Sequence, residues 1–271
     1  MAIRGQWGFG QEHPCSYLPG QAARLELLRV SAIDVAEFET LLAQGYRHFG
    51  TLFFRPACRA CHACVPLRVC TGEFRQTRSV RRVLERARDL DFEVSAPLPT
   101  PDAYALYCRH KERFRDTNPE ADAVSYDEFI ESFFQAFPFS RTLSIREGGR
   151  LVAVSHFDLT ARVLSAIYCY YDPQDLRLSP GRLAVYQEIA LAARQRIPFV
   201  QLGYYIAANP HMRYKSGFRP NEVLLGEDEW VPFMDGQNRC GLDPERLLRG
   251  FRPPGKPRLG PAAPSARHSP G

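Results

Sequence analysis

Apolar positions in this chain recur in short helical and strand-like runs, separated by turn residues. Ile33, Val35, Phe38, Leu41 and Leu42 follow a mostly helical spacing. Ser31, with Asp34 three positions on, suits an N-cap for that helix, and Gly45 suits its end. TLFFRP (Thr51 to Pro56) and VPLRVC (Val65 to Cys70) read as strands that flank a cysteine-rich stretch. Arg75 to Leu90 predicts a helix with a basic face, and DFEVSAPLPTPDA then loses periodicity and gains proline, as a domain boundary does.

A second set of elements follows. Ala103 to Phe114 is helical in pattern, and Ser125 with Glu128 forms a capping box ahead of Phe129, Ile130, Phe133, Phe134 and Phe137, aromatics suited to a core. TLSIRE, a Gly148-Gly149 turn and RLVAVSHFDLT predict a hairpin, and RVLSAIYCYYDP a further strand closed by Asp172-Pro173. Pro180-Gly181 opens a helix over Arg182 to Arg196. FVQLGYYI and Phe218 to Leu225 are the remaining strands. This order is that of an α+β protein. The divisions expected are an N-terminal cysteine-bearing domain over 1–95, a second domain over 96–235 and a basic, proline-rich tail over 236–271 without fixed structure, most clearly so from Arg246 onward.

Composition changes this picture little. The chain has 271 residues, 45% of them apolar and 24% charged, within the usual range for folded soluble domains. No apolar run approaches the roughly 20 residues that span a bilayer, and the N-terminus has no secretory pattern. A cytoplasmic protein with reduced thiols is expected, so its eight cysteines are not read as disulfides. The net charge is only +5, but basic residues crowd into Arg75 to Arg88 and into the C-terminal tail. Such patches suit a polyanionic partner or a plain solvated face equally well.

Three motifs carry chemistry. Cys58, Cys61 and Cys64 form a C-x-x-C-x-x-C run. Soft thiolates at that spacing suit zinc or an iron–sulfur cluster. A fourth ligand is needed, and Cys15, in the compact CSYLP segment, is preferred over Cys70 and His62. In the basic helix, Arg78 and Arg82 lie four apart on one face, where guanidinium forks can bind carboxylate or phosphate. The third motif is LGYYIAANPHMRYKSGFRPNE, Leu202 to Glu222. Its polar residues gather after a strand end, where sites tend to be built.

CSYLP, FRPACRACHACVPLRV, FRQTRSVRR, YYDP, and LGYYI followed by MRYKSGFRPNE occur in order from about Cys15 to Glu222. In this the chain resembles the bacterial aspartate/glutamate leucyltransferase family, related to the eukaryotic arginyl-tRNA–protein transferases. The resemblance implies a GNAT-like acyltransferase domain behind the smaller cysteine-bearing one. It implies leucyl-tRNA as donor, with arginyl-tRNA as the alternative, and proteins with N-terminal Asp or Glu as acceptors, marked thereby for N-degron proteolysis. Neither a membrane nor DNA is an expected partner. The cysteines match by position those that hold a metal or cluster in related enzymes, although the transfer itself requires no cofactor.

The reaction is aminolysis of an activated ester, in which positioning can supply roughly 7–11 kcal/mol. Tyr204 or Tyr214 is expected near the ribose and Lys215 near the oxyanion, as catalytic residues. Arg78 and Arg82 are expected to meet the acceptor carboxylate or tRNA phosphates, with Tyr205, Arg213 and Asp172 completing the substrate contacts. Glu188 is a weaker acidic candidate. Two other readings compete. A non-catalytic, metal-stabilised RNA-binding module explains the cysteines and arginines but not the ordered second half. An acetyl-CoA enzyme fits poorly, because RLSPGRLA offers only Gly181 for a pyrophosphate loop.

Overall fold

A computed structural model describes residues 4–113, 125–135, 137–253 and 255. Its first strands are β1 (Arg4–Phe9), β2 (His13–Pro14), β3 (Ala22–Ala23) and β4 (Leu25–Ala32). Helix α1 (Val35–Ala43) follows, then β5 (Arg47–Phe49), β6 (Leu52–Pro56) and β7 (Val65–Cys70). The cap of α1 is Asp34 rather than Ser31, because a capping box pairs Asp34 with Glu37. Helix α2 (Arg78–Arg86) starts at the Thr77 cap, three residues later than its basic pattern suggested. β8 (Asp91–Ser95) occupies the segment expected to be a linker.

The second half follows its pattern closely. Helices α3 (Pro101–Glu112) and α4 (Tyr126–Phe133) precede the strands β9 (Ser140–Glu147), β10 (Arg150–Leu159) and β11 (Val163–Tyr171). The predicted end of α3 at Phe114 lies outside the described residues. Helix α5 (Pro180–Arg194), β12 (Phe199–Tyr205), the single turn α6 (Pro210–Arg213), β13 (Asn221–Leu224), β14 (Trp230–Met234) and α7 (Pro244–Arg249) complete the order.

Two sheets organise these elements. The smaller runs β1-β4-β6-β5, and its apolar face packs Leu28, Val30 and Phe53 against Phe38, Leu41 and Leu42 of α1. The larger has eight strands in the order β14-β13-β7-β12-β11-β10-β9-β8. All its pairs are antiparallel except β11–β12, which is parallel and joined by α5. A parallel pair needs such a crossover. α5 and α2 cover one face of this sheet, while α3 and α4 bring Leu106, Tyr107, Phe129 and Phe133 onto the other. The sheet is therefore mixed α+β, as the element order implied. β7 lies between β12 and β13, and β8 forms the opposite edge, so residues 65–95 belong to the large sheet.

The C-terminal segment departs from expectation as far as it is described. α7 is helical, and Phe251 beyond it is buried against Gly45. Phe251 N–H donates to His62 O at 3.0 Å, within the cysteine loop, and Arg252 N–H donates to Leu225 O at 3.1 Å. Arg55, buried and paired with Glu26 at 2.8 Å, also donates to Gly255 O at 3.0 Å. Phe251 is thus a core residue that ties this segment onto both sheets. Residues 254 and 256–271 of the expected tail lie outside the described residues. Phe251→Ala should cost about 3–5 kcal/mol, the usual range for emptying an aromatic core position. Gly250→Ala should loosen the same segment, because φ is +66° there and a Cβ would lie 1.9 Å from His62 O. Urea denaturation midpoints test both changes, and an unaltered midpoint for Phe251→Ala would refute the anchoring role.

Candidate active site

β11 and β12 pair over only Val163↔Phe199, Leu164↔Val200 and Ser165↔Gln201, and then part. Both strands continue, to Tyr171 and to Tyr205, so their facing backbone groups lose ladder partners beyond that point. A bulge widens the gap. The β12–β7 register shifts between Gln201 and Tyr204, and Gly203 sits there at φ +75°, a conformation that favours glycine. Freed carbonyls in a protein interior must find other donors.

Two cations supply them. Arg47, on β5 of the smaller sheet, is 8% exposed. It donates to Ser165 Oγ at 2.8 Å and to the Ala166 carbonyl. Lys215, in the turn after α6, donates from Nζ to Tyr204 O at 2.9 Å. A Cβ on Gly203 would lie 3.5 Å from Arg47 Nε and 3.7 Å from Lys215 Nζ, so the two cations share one space. Among the described residues, no carboxylate comes within ion-pair distance of either. Burial and the charge of Arg47 together draw the Lys215 amine down to about 7. Burial likewise lowers the pKa of Arg47.

The acid of this site is Glu188, on the buried face of α5 and 1% exposed. Its Oε1 accepts from Ser155 Oγ at 2.6 Å, and its Oε2 is buried without a partner. Burial pushes the carboxyl up to about 7, against the opposing effects of Ser155 and Arg47. Cys169 and Tyr214 are its other electrostatic neighbours. Tyr214 is 39% exposed and marks the solvent side. Burial pushes its phenol up to about 12.

The residues expected from sequence divide accordingly. Lys215 and Tyr214 lie at the parting of the strands. The Tyr204 backbone carbonyl does too, but its phenol points away and donates to Gly45 O at 2.8 Å. Burial raises its pKa well above the ordinary value. That side chain joins the sheets and is not free to meet a ribose. Tyr205 is buried against Phe233, with Arg213 nearby on the surface. Asp172 caps the turn after β11, accepting from Gln174 N–H at 3.0 Å, and pairs with Arg109 at 3.1 Å. Arg78 and Arg82 lie on the exposed face of α2, and no described hydrogen bond or ion pair joins them to the parting. Arg47, Ser155, Ser165 and Gly203 were not singled out. A glycine inside a strand pattern was a readable signal for a bulge, whereas RHF carries nothing that marks Arg47.

The cysteines gather beside this site. Burial pushes the Cys64 thiol up to about 12, with Cys58, Cys61 and Cys15 adding to the rise and Lys215 opposing it. Cys58 Sγ accepts from Arg24 N–H at 3.5 Å, and Cys15 Sγ from Tyr17 N–H at 3.4 Å. The donors are of the soft type that zinc or an iron–sulfur cluster takes. Among the described residues, however, no three His, Cys, Asp or Glu side chains converge closely enough to hold a metal ion. Among the described residues the thiols are neighbours without closing into a ligand set.

Known proteins resemble the chain along most of its length. Residues 13–82 match the family described as arginine-tRNA-protein transferase, N terminus, and residues 102–225 match its C terminus. An aspartate/glutamate leucyltransferase of Pseudomonas fluorescens strain SBW25 is 38% identical over 82% of this chain and 94% of its own length. One from Pseudomonas putida strain W619 is 37% identical over the same shares. Among solved structures, L-PGS from Bacillus licheniformis overlaps 64% of this chain and 53% of its own at a TM-score of 0.38 and 13% identity, too distant to assign a fold.

Two outcomes follow from the geometry. Tyr204→Phe should lose about 1 kcal/mol of stability with its hydrogen bond and leave turnover unchanged. A large fall in turnover would put the phenol back into the chemistry. Lys215→Met should melt above the parent protein, most clearly at low pH. The amine titrates near 7 when folded and near 10.5 when free, so its burial penalty is full below pH 7 and fades as pH rises toward 10.5. Thermal melts at pH 6 and pH 9 test this, and an equal or reversed difference would contradict the buried amine.

Proposed function

The chain belongs to the arginine-tRNA-protein transferase family and is an aminoacyltransferase, and on that premise we propose that it moves leucine from leucyl-tRNA onto the N-terminal Asp or Glu of acceptor proteins, at the parting of β11 and β12. The names of the relatives, which span 94% of their own length in the match, support leucine and acidic acceptors. The observation that carries the site is a buried lysine, its pKa drawn down to about 7, beside an arginine that has no carboxylate within ion-pair distance among the described residues. Proteins so modified would enter N-degron proteolysis, and dependence on tRNA places the work in the cytoplasm. No helix among the described residues is long and apolar enough to cross a membrane.

We read the larger sheet as GNAT-like, on the support of its parting parallel pair and the crossover helix between them. The roles of the residues follow from their charge. An acceptor α-amine has a pKa of about 7.7–8.0 and must be neutral to attack. Lys215 exchanges protons near pH 7, which suits proton transfer better than a fixed charge. The amine nitrogen attacks the ester carbonyl and a C–N bond forms. Lys215 takes a proton from that nitrogen and returns it to the ribose oxygen as the C–O bond breaks. Arg47 remains charged throughout and supplies the positive potential that steadies the developing oxyanion. This revises the oxyanion role first expected for Lys215. No cofactor enters the balance.

Transfer from leucyl- or arginyl-tRNA to a peptide starting with Asp tests this reading. Leucyl transfer is expected to dominate. Lys215→Ala should lower kcat by about 100- to 10,000-fold, the usual worth of a general base. Lys215→Arg keeps the charge but has no accessible neutral form, so it should be equally impaired. If arginine restored the rate, Lys215 would be a fixed cation after all. The rate of the parent protein should fall as pH drops through 7, as the amine is protonated. Absence of transfer from both donors would remove the proposal.

A further inference from the structure

The transfer reaction leaves one group unused. Glu188 is buried with Oε2 unpartnered, although Ser155 holds Oε1 at 2.6 Å. A buried carboxylate oxygen without a donor is costly to a folded protein, and α5 would pack better with an apolar residue there. Its neighbours in the helix are Val185 and Ile189, and the helix face is otherwise that of a core. Arg47 does not pair with it, being spent on Ser165 and Ala166. What the site lacks is a compact donor with positive charge.

Resting on the reading above, we propose that Glu188 is the receptor for the free α-ammonium of the aminoacyl group, so that the enzyme selects aminoacyl esters over their N-acylated forms. The α-ammonium of an aminoacyl ester sits one carbon from the reacting carbonyl. Lys215 and Arg47 lie on the side where the carbonyl oxygen and attacking amine meet. Glu188 is electrostatically coupled to both Arg47 and Tyr214. An ammonium there completes the orphan oxygen, pairs the one carboxylate and fixes the carbonyl for attack. Entry runs past Tyr214, the exposed neighbour. Ser155 is then a positioning residue that sets the rotation of the carboxylate.

Glu188→Gln keeps the shape and the acceptor for Ser155 and removes the charge. With leucyl-tRNA, kcat/KM should fall about 10- to 100-fold, the worth of a charge-assisted bond. With N-acetyl-leucyl-tRNA, the parent protein should be poor and Glu188→Gln no worse, so the preference collapses. Equal losses with both donors would make Glu188 merely structural and overturn the proposal, as would an unchanged preference. If the parent used arginyl-tRNA and the variant lost only that donor, the carboxylate would read a guanidinium side chain instead, which also overturns it. Thermal shifts with leucinamide and N-acetylleucinamide supply a readout free of turnover. Leucinamide alone should stabilise the parent protein, and the shift should vanish in Glu188→Gln. A leucinamide shift without transfer from any donor would sink the proposed function and keep the subsite, whereas no shift and no transfer would sink both. Glu188→Gln should itself melt above the parent at pH 8, because the burial penalty is full above pH 7 and fades toward 4.5. That melt shows the variant is folded.

Discussion

The site depends on how the backbone is satisfied where two strands separate. β11 and β12 leave each other after three residue pairs, and an unpaired carbonyl at that depth would ordinarily close the gap or draw in water. Here the Ala166 carbonyl takes Arg47 and the Tyr204 carbonyl takes Lys215. The gap stays open because charged side chains fill the hydrogen-bonding role of a strand. The same contacts concentrate positive charge at the parting of the strands. Structure and electrostatics therefore have one cause, and removing either cation changes both.

Those cations come from different parts of the chain, and the two sheets meet around them. Arg47 reaches across from the smaller sheet. Beside it, His48 meets Asp158 of β10 at 2.6 Å in a fully buried contact, and its other ring nitrogen faces Gly50 O at 2.8 Å. A carbonyl can only accept, so that nitrogen carries hydrogen. The Tyr204 phenol adds a third tie, to Gly45 O. Phe251 adds a fourth, beneath Gly45. Buried polar contacts of this kind fix orientation more than they add stability. They hold Arg47 at a distance from β11 that free rotation of a domain would not preserve.

Much of this was legible in the sequence. The hairpin of β9 and β10, the strand β11, the Pro180 start of α5 and the strand β12 stand where periodicity and turn residues put them, because each has a local cause. The early strands were harder. RGQWGF and LELLRVSA have weak alternation, and their assignment depends on pairing with each other, which is a long-range fact. The Asp91–Ser95 strand was hidden by its prolines downstream and by four exposed residues in five, a pattern that an edge strand tolerates. The basic, proline-rich composition near Arg249 concealed one buried aromatic. For the candidate site, Lys215 was legible as a candidate because polar residues clustered after a strand end. Tyr204 misled for the same reason: alternation decides which way a side chain points, and the bulge at Gly203 reset it. Arg47 could not be found from its neighbours, since its partners are more than a hundred positions away.

The charge balance of the empty site carries the last step. Arg47 and a carboxylate with a free oxygen feel each other in the buried interior without forming an ion pair. Such an arrangement is unfavourable for the protein alone, and it costs stability that an apolar core would keep. It becomes favourable when the missing charges arrive with substrate: an ammonium for the carboxylate and a developing oxyanion for the cations. Groups held in place before the reaction need no reorganisation during it. The depressed amine of Lys215 and the raised carboxyl of Glu188 are two signs of one condition. Each is drawn toward pH 7 chiefly by burial, which penalises the charged form.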